Sequence, residues 1–285
     1  MTGSKSFPKE REMKKILLAL AFFGTLAYLY WFLTTPRTTP VYLSPTDQIS
    51  KQEKPQPVHE IYDIIKVIND RSSKVKSIYI AEMPIRLQQG NMTAKVYGEL
   101  AMEKDKNFRL KVAHQLTGKE MDIGSNKTHF WFWSKRMNPP ALHYSLHEDL
   151  DKTMLRTALN PAWMMESLNV SPVSTENIEI AKFKEFWATI QPRISGTGEK
   201  VTVVTLIHPT QKVVVGRYLY NQNGKLIAST EYQDFSEVIP RKILIIWYEE
   251  GIALDWELSR VQTNVGINPK FWMMPDMRSK IDMGK

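Results

Sequence analysis

Only a few residues of this 285-residue chain combine a reactive side-chain type with a spacing that chemistry could use. His143 and His147, followed by Glu148, would share one face of a strand, an arrangement from which a metal site can be built. No third ligand lies nearby in the sequence, so surface histidines are the favoured interpretation. Glu120 and Asp122 have the spacing of paired carboxylates, but turn residues that precede a strand explain them equally well.

The sequence lacks the common signatures of catalysis and cofactor binding. It contains no Gly-x-Ser-x-Gly, no phosphate-binding loop, no Gly-x-Gly-x-x-Gly and no His-Glu-x-x-His. Without cysteine it has no disulfide, zinc–thiolate site, cysteine nucleophile or iron–sulfur cluster. The net charge is +8, but no Lys/Arg block is dense enough for a nucleic-acid surface. We therefore expect a protein that is not an enzyme, uses no cofactor and binds no nucleic acid.

The most unusual apolar feature is an unbroken row of four aromatic residues. Phe130, Trp131, Phe132 and Trp133 lie between a Gly-Ser-Asn turn and an Asn-Pro-Pro turn. Side chains alternate along a strand, so the tryptophans would point to one face and the phenylalanines to the other. Both faces then need an apolar environment. A cavity on one face with a helix on the other would provide it, and so would a filled core.

One segment is apolar enough to cross a membrane. Residues 16–33 contain neither a charge nor a proline, and as a helix they span roughly 27 Å, close to the hydrocarbon thickness. Residues 1–15 are basic and should stay cytoplasmic, so the remaining mass faces outward. We expect an uncleaved signal anchor, with a cleaved signal peptide as the alternative. Residues 34–57 contain five prolines and predict an extended spacer.

The folded domain is predicted to occupy residues 58–285. Isoleucines at 61, 64, 65 and 68 predict an opening helix, and proline begins a second short helix at 161–170. The turn sequences NQNG and EEG indicate two late hairpins. A mainly β fold with helices (α+β) follows, with one antiparallel sheet curled into a barrel. Period-two patterns predict its strands at 78–87, 93–102, 108–113, 128–133, 142–146, 201–207, 212–220, 225–232, 242–248 and 252–258.

Four stretches, in this order and spacing, resemble the LolA/LolB-like lipoprotein-localisation family. They are EKDKNFRLKVA (103–113), the aromatic segment (120–144), GRYLYNQNGKLIASTEYQDF (216–235) and IPRKILIIWYEEGIALDWEL (239–258). The resemblance covers roughly 58–268. It implies an unclosed antiparallel β-barrel capped by helices that takes up the acyl chains of lipid-modified proteins or of a related lipid.

The resemblance also points to a latch between the barrel and its lid. In the family's soluble carriers, a functionally important arginine lies just before a Pro-Asn turn and bonds to the helical lid. The matching residue here is Lys104, and Asp105 follows it instead of proline. Lysine lacks the planar fork of arginine, so a latch at Lys104 would be weaker or differently made.

We predict that apolar side chains of several strands line a lipid-binding cavity. Each methylene that leaves water for such a cavity gains about 0.8 kcal/mol, so no catalytic group is needed. Phe130 and Phe132 are the alternative to the two tryptophans. The predicted lining consists of Val96, Leu100, Phe108, Leu110, Trp131, Trp133, Leu142 and Tyr144. The predicted lid or plug on the short helix consists of Trp163, Met164, Met165 and Leu168.

Two functions are consistent with these features. The first is a membrane-anchored, non-enzymatic binding protein for lipid or lipoprotein acyl chains, acting in lipoprotein transport or reception. It would sit in the bacterial cytoplasmic (inner) membrane, with its C-terminal domain in the periplasm. The second is a filled scaffold of the same fold that binds an envelope protein as a sensor or regulator. Its partner surface would be an exposed sheet edge and the basic loop Lys135–Arg136.

Overall fold

The computed structural model describes residues 58–104, 107–135, 137, 140–153, 161–236, 239–249 and 251–284. The predicted cytoplasmic segment, membrane span and spacer, at 1–15, 16–33 and 34–57, lie outside these residues. In the part of the chain that is described, no helix has both the length and the apolar character to cross a membrane.

The described chain begins with the predicted helix, α1 (Val58–Ser73). Ile61, Ile64, Ile65 and Ile68 form one apolar stripe along it, and all four are buried. Burying such a side chain stabilises a fold by roughly 1.5–3 kcal/mol. The helix therefore owes its place mainly to this stripe, because isolated helices of its length are marginal in water.

A large sheet and a few short helical segments make up the rest of the described chain. The second helix, α2, covers Pro161–Glu166, and 3₁₀ turns cover His147–Lys152 and Pro269–Trp272. The strands are β1 (Ser77–Gln89), β2 (Met92–Glu103), β3 (Asn107–His114), β4 (Gly118–Ser125), β5 (His129–Ser134), β6 (Leu142–Leu146), β7 (Glu179–Phe183), β8 (Phe186–Ile194), β9 (Lys200–His208), β10 (Val213–Asn221), β11 (Leu226–Ser236), β12 (Ile239–Trp247), β13 (Ile252–Glu257), β14 (Gln262–Thr263) and β15 (Lys280–Asp282).

The sheet is unclosed and almost entirely antiparallel. Its spatial order is β15-β6-β5-β4-β3-β2-β1-β13-β12-β11-β10-β9-β8-β7, and β14 also pairs with β1. Among the strand pairs of the described residues, only β15 and β6 run parallel. Strand β1 lies near the middle of this order. A register shift between Ile80 and Met83 divides it, so its first part pairs with β14 and its second part with β13.

The two faces of the sheet have different chemistry. The core face is the one that carries Phe108 and Leu110 of β3. There the sheet packs in one hydrophobic cluster with α1 and with residues 161–168, which we call the α2 segment. The outer face carries Arg109 and Lys111 of the same strand. A smaller apolar cluster, built on Ala188, Val204, Leu206 and Tyr220, lies at the β7–β10 end.

A buried ion pair organises the outer face at β3–β5. The Arg109 guanidinium binds Asp122 through both carboxylate oxygens, at 3.0 and 2.9 Å. Lys119 Nζ also contacts the Asp122 carboxylate, at 2.8 Å, and the Trp131 indole N–H donates to it at 3.3 Å. The Trp131 ring lies over Gly124, the glycine directly opposite it on β4.

The C-terminal strap, residues 264–284, crosses this cluster. Arg109 Nη1 donates to the carbonyl oxygens of Phe271 and Met273, at 2.8 and 3.2 Å. The Lys111 ammonium lies 3.9 Å from the centre of the Phe271 ring. The strap then adds β15 to the edge of β6, which covers backbone groups that would otherwise be open to pairing with another chain.

The predicted helices, the ten predicted strands and the two late hairpins are confirmed, with boundaries that differ by a few residues. Five strands, β4, β7, β8, β14 and β15, were not predicted. The interpretation of Glu120 and Asp122 as turn residues is wrong, because both lie within β4. Its polar and glycine residues hide the strand from a hydrophobic pattern, since its outer face carries the Asp122 carboxylate.

The contact between Gly124 and Trp131 yields a stability prediction. A Cβ at residue 124 would overlap the Trp131 ring, with Nε1 at 2.7 Å, so Gly124→Ala should lower the free energy of unfolding by about 2 kcal/mol or more. Gly266→Ala is the control, because its Cβ would meet no atom within 4 Å. Urea unfolding measures both. Equal stability of the two variants would contradict the packing described here.

Acid should weaken the cluster around Asp122. Burial raises the pKa of Asp122, but the hydrogen bonds and charges of Arg109 and Lys119 outweigh burial and hold this pKa below its ordinary 3.8. A carboxylate with a depressed folded-state pKa stabilises the fold fully above about pH 5, and the contribution is lost as the pH falls through the folded-state value.

Asp122→Asn should therefore cost about 3 kcal/mol at neutral pH, because it leaves Arg109 buried without a counter-charge. It should also flatten the fall in stability between about pH 5 and pH 2. Glu99→Gln is the matched control, since the Glu99–Lys111 pair is partly exposed and worth at most about 1 kcal/mol. An acid transition of unchanged steepness in Asp122→Asn would refute the assignment.

Candidate functional site

The eight residues predicted to line one cavity lie on two faces of the sheet. Val96, Leu100, Phe108 and Leu110 belong to the hydrophobic cluster on the core face. Trp131, Trp133, Leu142 and Tyr144 lie on the outer face. The eight cannot line a single cavity, and that part of the prediction is wrong.

The register between β4 and β5 explains the error. Trp131 is opposite Gly124 and Trp133 is opposite Asp122, so both tryptophans share the face of the Arg109–Asp122 pair. Phe132 is opposite Ile123, which packs against the core cluster. The alternative assignment, with the phenylalanines on the core side, is the one that the structure has. Tyr144 is opposite Trp131, which carries the outer-face assignment on to β6.

The predicted plug residues lie against the core face. Trp163, Met164 and Leu168 are buried in the core cluster, and Met165 packs against it half-buried. Ser167 Oγ lies 3.1 Å from Thr230 Oγ1 of β11, which ties this segment to the sheet. The core face is therefore filled with side chains here, and a ligand that enters must move some of them.

Lys104 contacts the helix α1 rather than α2. Its ammonium donates to the carbonyl oxygens of Ser72 and Ser73, at 3.1 and 3.4 Å. These carbonyls lie at the C-terminal end of α1, where a cation is favoured by the helix dipole and by the unpaired carbonyl groups. Lys104 thus joins the end of β2 to the end of the covering helix.

The main candidate site is a groove of about 1180 Å³ beside the same end of α1, which we call the basic groove. It lies between the end of α1, the ends of β11 and β13, the start of β12, and β14. Its described lining has five basic and two acidic side chains, a net charge of +3. The basic residues are Arg71, Lys74, Arg241, Lys242 and Arg260, and the acidic residues are Asp234 and Glu257.

The floor of the basic groove is apolar. Val75, Ile239 and Leu258 line the groove and are also buried members of the core cluster, and Val261 packs against that cluster. The groove therefore passes from a charged rim to apolar side chains that are continuous with the core. Few surface features combine these two properties, and an amphiphile with an anionic head matches both.

Several rim cations are available to a ligand. Lys242 pairs with Asp234 at 3.1 Å, and Arg71 donates to the carbonyl oxygen of Lys212 at 3.3 Å. Within the described residues, Arg241 and Arg260 have no ion pair. Both are exposed, so they can turn towards an anion at little cost.

Sequence reasoning missed this rim. The basic residues come from the end of α1, the start of β12 and the turn after β13, which are far apart in the chain. The Arg241-Lys242 pair at the start of β12 was the only local signal. The basic loop proposed instead is partly neutralised, because Lys135 lies 3.6 Å from Glu120 and donates to the Thr117 carbonyl; Arg136 lies outside the described residues.

The two histidines weighed as a metal pair do not form a ligand cluster. The His147 ring lies 2.7 Å from the carbonyl oxygen of Asn126, so a hydrogen bond already uses its Nε2. Across the part of the chain that is described, no group of three or more His, Asp or Glu residues is placed to hold a metal ion.

The described chain is thus an unclosed β-sheet covered by two helices, and the basic groove lies at the end of α1. No family model matches the chain, and no curated protein matches it. Solved structures do match it over most of their own length. A LolA superfamily protein from Nitrosomonas europaea shares 9% identity over 74% of this chain and 97% of that chain, with a TM-score of 0.47.

Two further solved structures are similar at the same level. A putative outer membrane lipoprotein-sorting protein domain from Vibrio parahaemolyticus has 10% identity over 74% of this chain and 94% of that chain, with a TM-score of 0.48. A DUF1329 family protein from Desulfovibrio piger has 12% identity over 77% and 98%, with a TM-score of 0.48.

The Lys104 contact predicts a modest effect on stability. Lys104→Met should lower the free energy of unfolding by about 1 kcal/mol, because the carbonyls at the end of α1 lose a cationic donor. Lys104→Arg should retain most of this stabilisation, because arginine is also a cationic donor. Lys95→Met changes an exposed lysine of β2 and is the control. Its free energy of unfolding should stay within about 0.5 kcal/mol of that of the parent protein. Equal urea midpoints for Lys104→Met and Lys95→Met would exclude a latch at Lys104.

Proposed function

We propose that this chain is a membrane-anchored, non-enzymatic protein that binds anionic acyl-bearing amphiphiles, such as a lipid or the acyl chains of a lipoprotein. It would act in lipoprotein transport or reception, as the family resemblance in its sequence implies. The observation that carries the proposal is the basic groove, whose charged rim leads directly to side chains of the hydrophobic core.

The chemistry of the groove suits such a ligand at both ends. Arg241 and Arg260 offer guanidinium groups that can bind a phosphate or carboxylate head through two parallel hydrogen bonds. The apolar floor offers burial to the first part of an acyl chain, at about 0.8 kcal/mol for each methylene. Head and chain are therefore recognised by adjacent surfaces.

A longer chain would need room within the core, and the α2 segment is the part best suited to yield. Met164 and Met165 are unbranched and adapt to irregular apolar shapes, so they can repack around a ligand. The segment is short, and α2 itself has only six residues. Displacement of this plug is the proposed way in which the core makes room for the acyl chain.

The proposed location gives the protein access to its ligand. Residues 16–33 would hold it in the bacterial inner membrane, and 34–57 would space the domain from the bilayer on the periplasmic side. A tethered domain meets membrane lipids and lipoproteins at high effective concentration.

Charge reversal in the groove tests the proposal. Residues 50–285 are titrated calorimetrically with palmitoyl-lysophosphatidylglycerol and with palmitoyl-lysophosphatidylcholine, which share a chain and differ in head charge. We expect the double variant Arg241→Glu/Arg260→Glu to weaken binding of the anionic ligand by about tenfold or more, with a smaller effect on the zwitterionic one. The matched control is Lys95→Glu/Lys127→Glu, which changes the net charge equally at exposed residues outside the groove.

Three results are informative. Selective loss in the groove variant supports the proposal. An equal loss in both double variants means that only net charge matters and rejects the groove as the site. Binding of an acyl-free acidic peptide in place of either lipid, abolished by Arg241→Glu/Arg260→Glu, would instead favour the scaffold for an envelope protein partner.

A further inference from the structure

A second cavity, of about 210 Å³, lies on the core face at β8–β10. The residues that follow α2 cover β8, β9 and β10 here, and the cavity remains between them and the strands. Its lining is mostly polar and includes Arg217, Thr189 and Thr205 from the three strands. We call it the Arg217 cavity.

Arg217 is buried without a counter-charge. Only 4% of the residue is exposed. Its Nη2 donates to the carbonyl oxygen of Ser171 at 3.2 Å, and its Nε has no hydrogen-bond partner among the described residues. No carboxylate in the described part of the chain forms an ion pair with it.

The one carboxylate in the lining is already engaged. Glu166 binds Arg193 through both of its oxygens, at 3.0 and 2.9 Å. Two guanidinium groups and one carboxylate therefore line the cavity, which leaves one positive charge on Arg217. The effect reaches Tyr232 of β11: burial raises the pKa of its phenol, and the charge of Arg217 together with a hydrogen bond between the two side chains opposes that rise.

An arginine cannot relieve such burial by losing its proton, because its pKa is too high. A lysine in the same place could become neutral. A buried charge instead needs a partner of opposite sign and hydrogen bonds to its remaining donors. Thr189 and Thr205, both buried, add hydroxyl groups to the lining beside it.

We propose that the Arg217 cavity binds a small oxyanion, a phosphate or carboxylate group, with the Arg217 guanidinium as its charge partner and the hydroxyl groups of Thr189 and Thr205 as further donors. The anion can be free or can be the head of an amphiphile, because Val173 and Val203 line the cavity and belong to the core cluster. Binding of the free anion does not depend on the lipid function proposed above.

Calorimetry with inorganic phosphate tests the site. The full chain, in a non-ionic detergent and a phosphate-free buffer, is titrated at constant ionic strength. Arg217→Met should weaken phosphate binding by about tenfold or more, because the bidentate charged partner is lost. Arg260→Met removes an arginine from the basic groove and reports any phosphate that binds there instead. If Arg217→Met does not fold, Thr189→Val/Thr205→Val keeps all charges and should weaken binding several-fold.

The pattern of loss among the variants decides which of the two sites holds the phosphate. Weaker binding in Arg217→Met, or in the threonine double variant, with normal binding in Arg260→Met supports the proposal. It is overturned if the parent protein takes up no phosphate, or if Arg217→Met or the threonine variant binds as well as the parent. It is also overturned if Arg260→Met is the variant that loses binding, since the phosphate then lies in the basic groove.

A second titration identifies the source of the anion. Hexyl phosphate carries the same head on a short chain. Binding tenfold tighter than inorganic phosphate, lost in Arg217→Met, assigns the cavity to the head of an amphiphile. Equal affinities assign it to a free anion. We expect the groove variant Arg241→Glu/Arg260→Glu to retain binding of hexyl phosphate in the Arg217 cavity. Failure of the groove proposal and failure of this one are therefore distinguishable.

Discussion

The core face of the sheet carries one hydrophobic cluster with side chains from β1–β3 and from β8–β13, and because the sheet does not close, its own strands do not fully enclose that cluster. A closed barrel covers its interior with its own strands, whereas this sheet needs a cover from elsewhere in the chain. The isoleucine stripe of α1 and the Trp163–Leu168 segment supply it. Burial between sheet and cover is the interaction on which the other features depend, since the basic groove, the Lys104 contact and the Arg217 cavity all lie along its margins.

The opposite face is stabilised by different means, and this difference accounts for the aromatic row. Trp131 lies on the outer face, where Asp122 accepts its indole N–H and Arg109 lies over its ring. Phe130 and Phe132, which have no polar atom, face the core side. A tryptophan is suited to a charged cluster because its ring is apolar and its N–H is a donor. The row therefore joins two unlike environments, a charged cluster on the outer face and apolar side chains on the core side.

Apolar period and turn residues were sufficient to predict the helices, most strands and the mainly β class. The expectation of an unclosed barrel came from the family resemblance. The sequence could not show which side chains of β5 point to the core, because both faces of that strand are aromatic. Only the pairing of β5 with β4 determines this orientation. Sequence reasoning also missed β4 itself, where Asp122 and Gly124 replace the apolar residues expected of a strand. The basic groove was not predicted, because its cations come from three segments that are distant in the sequence and meet only in the fold.

Both candidate sites lie beside the end of a covering helix, and a physical reason connects them. The end of a helix leaves carbonyl groups unpaired, so polar groups become available there beside the apolar cover. Lys104 satisfies the carbonyls at the end of α1, and the basic groove opens beside it. After α2, Arg217 bonds to the Ser171 carbonyl and borders a polar cavity. We propose that a ligand at either margin reaches the core by displacing only the cover, without breaking a strand.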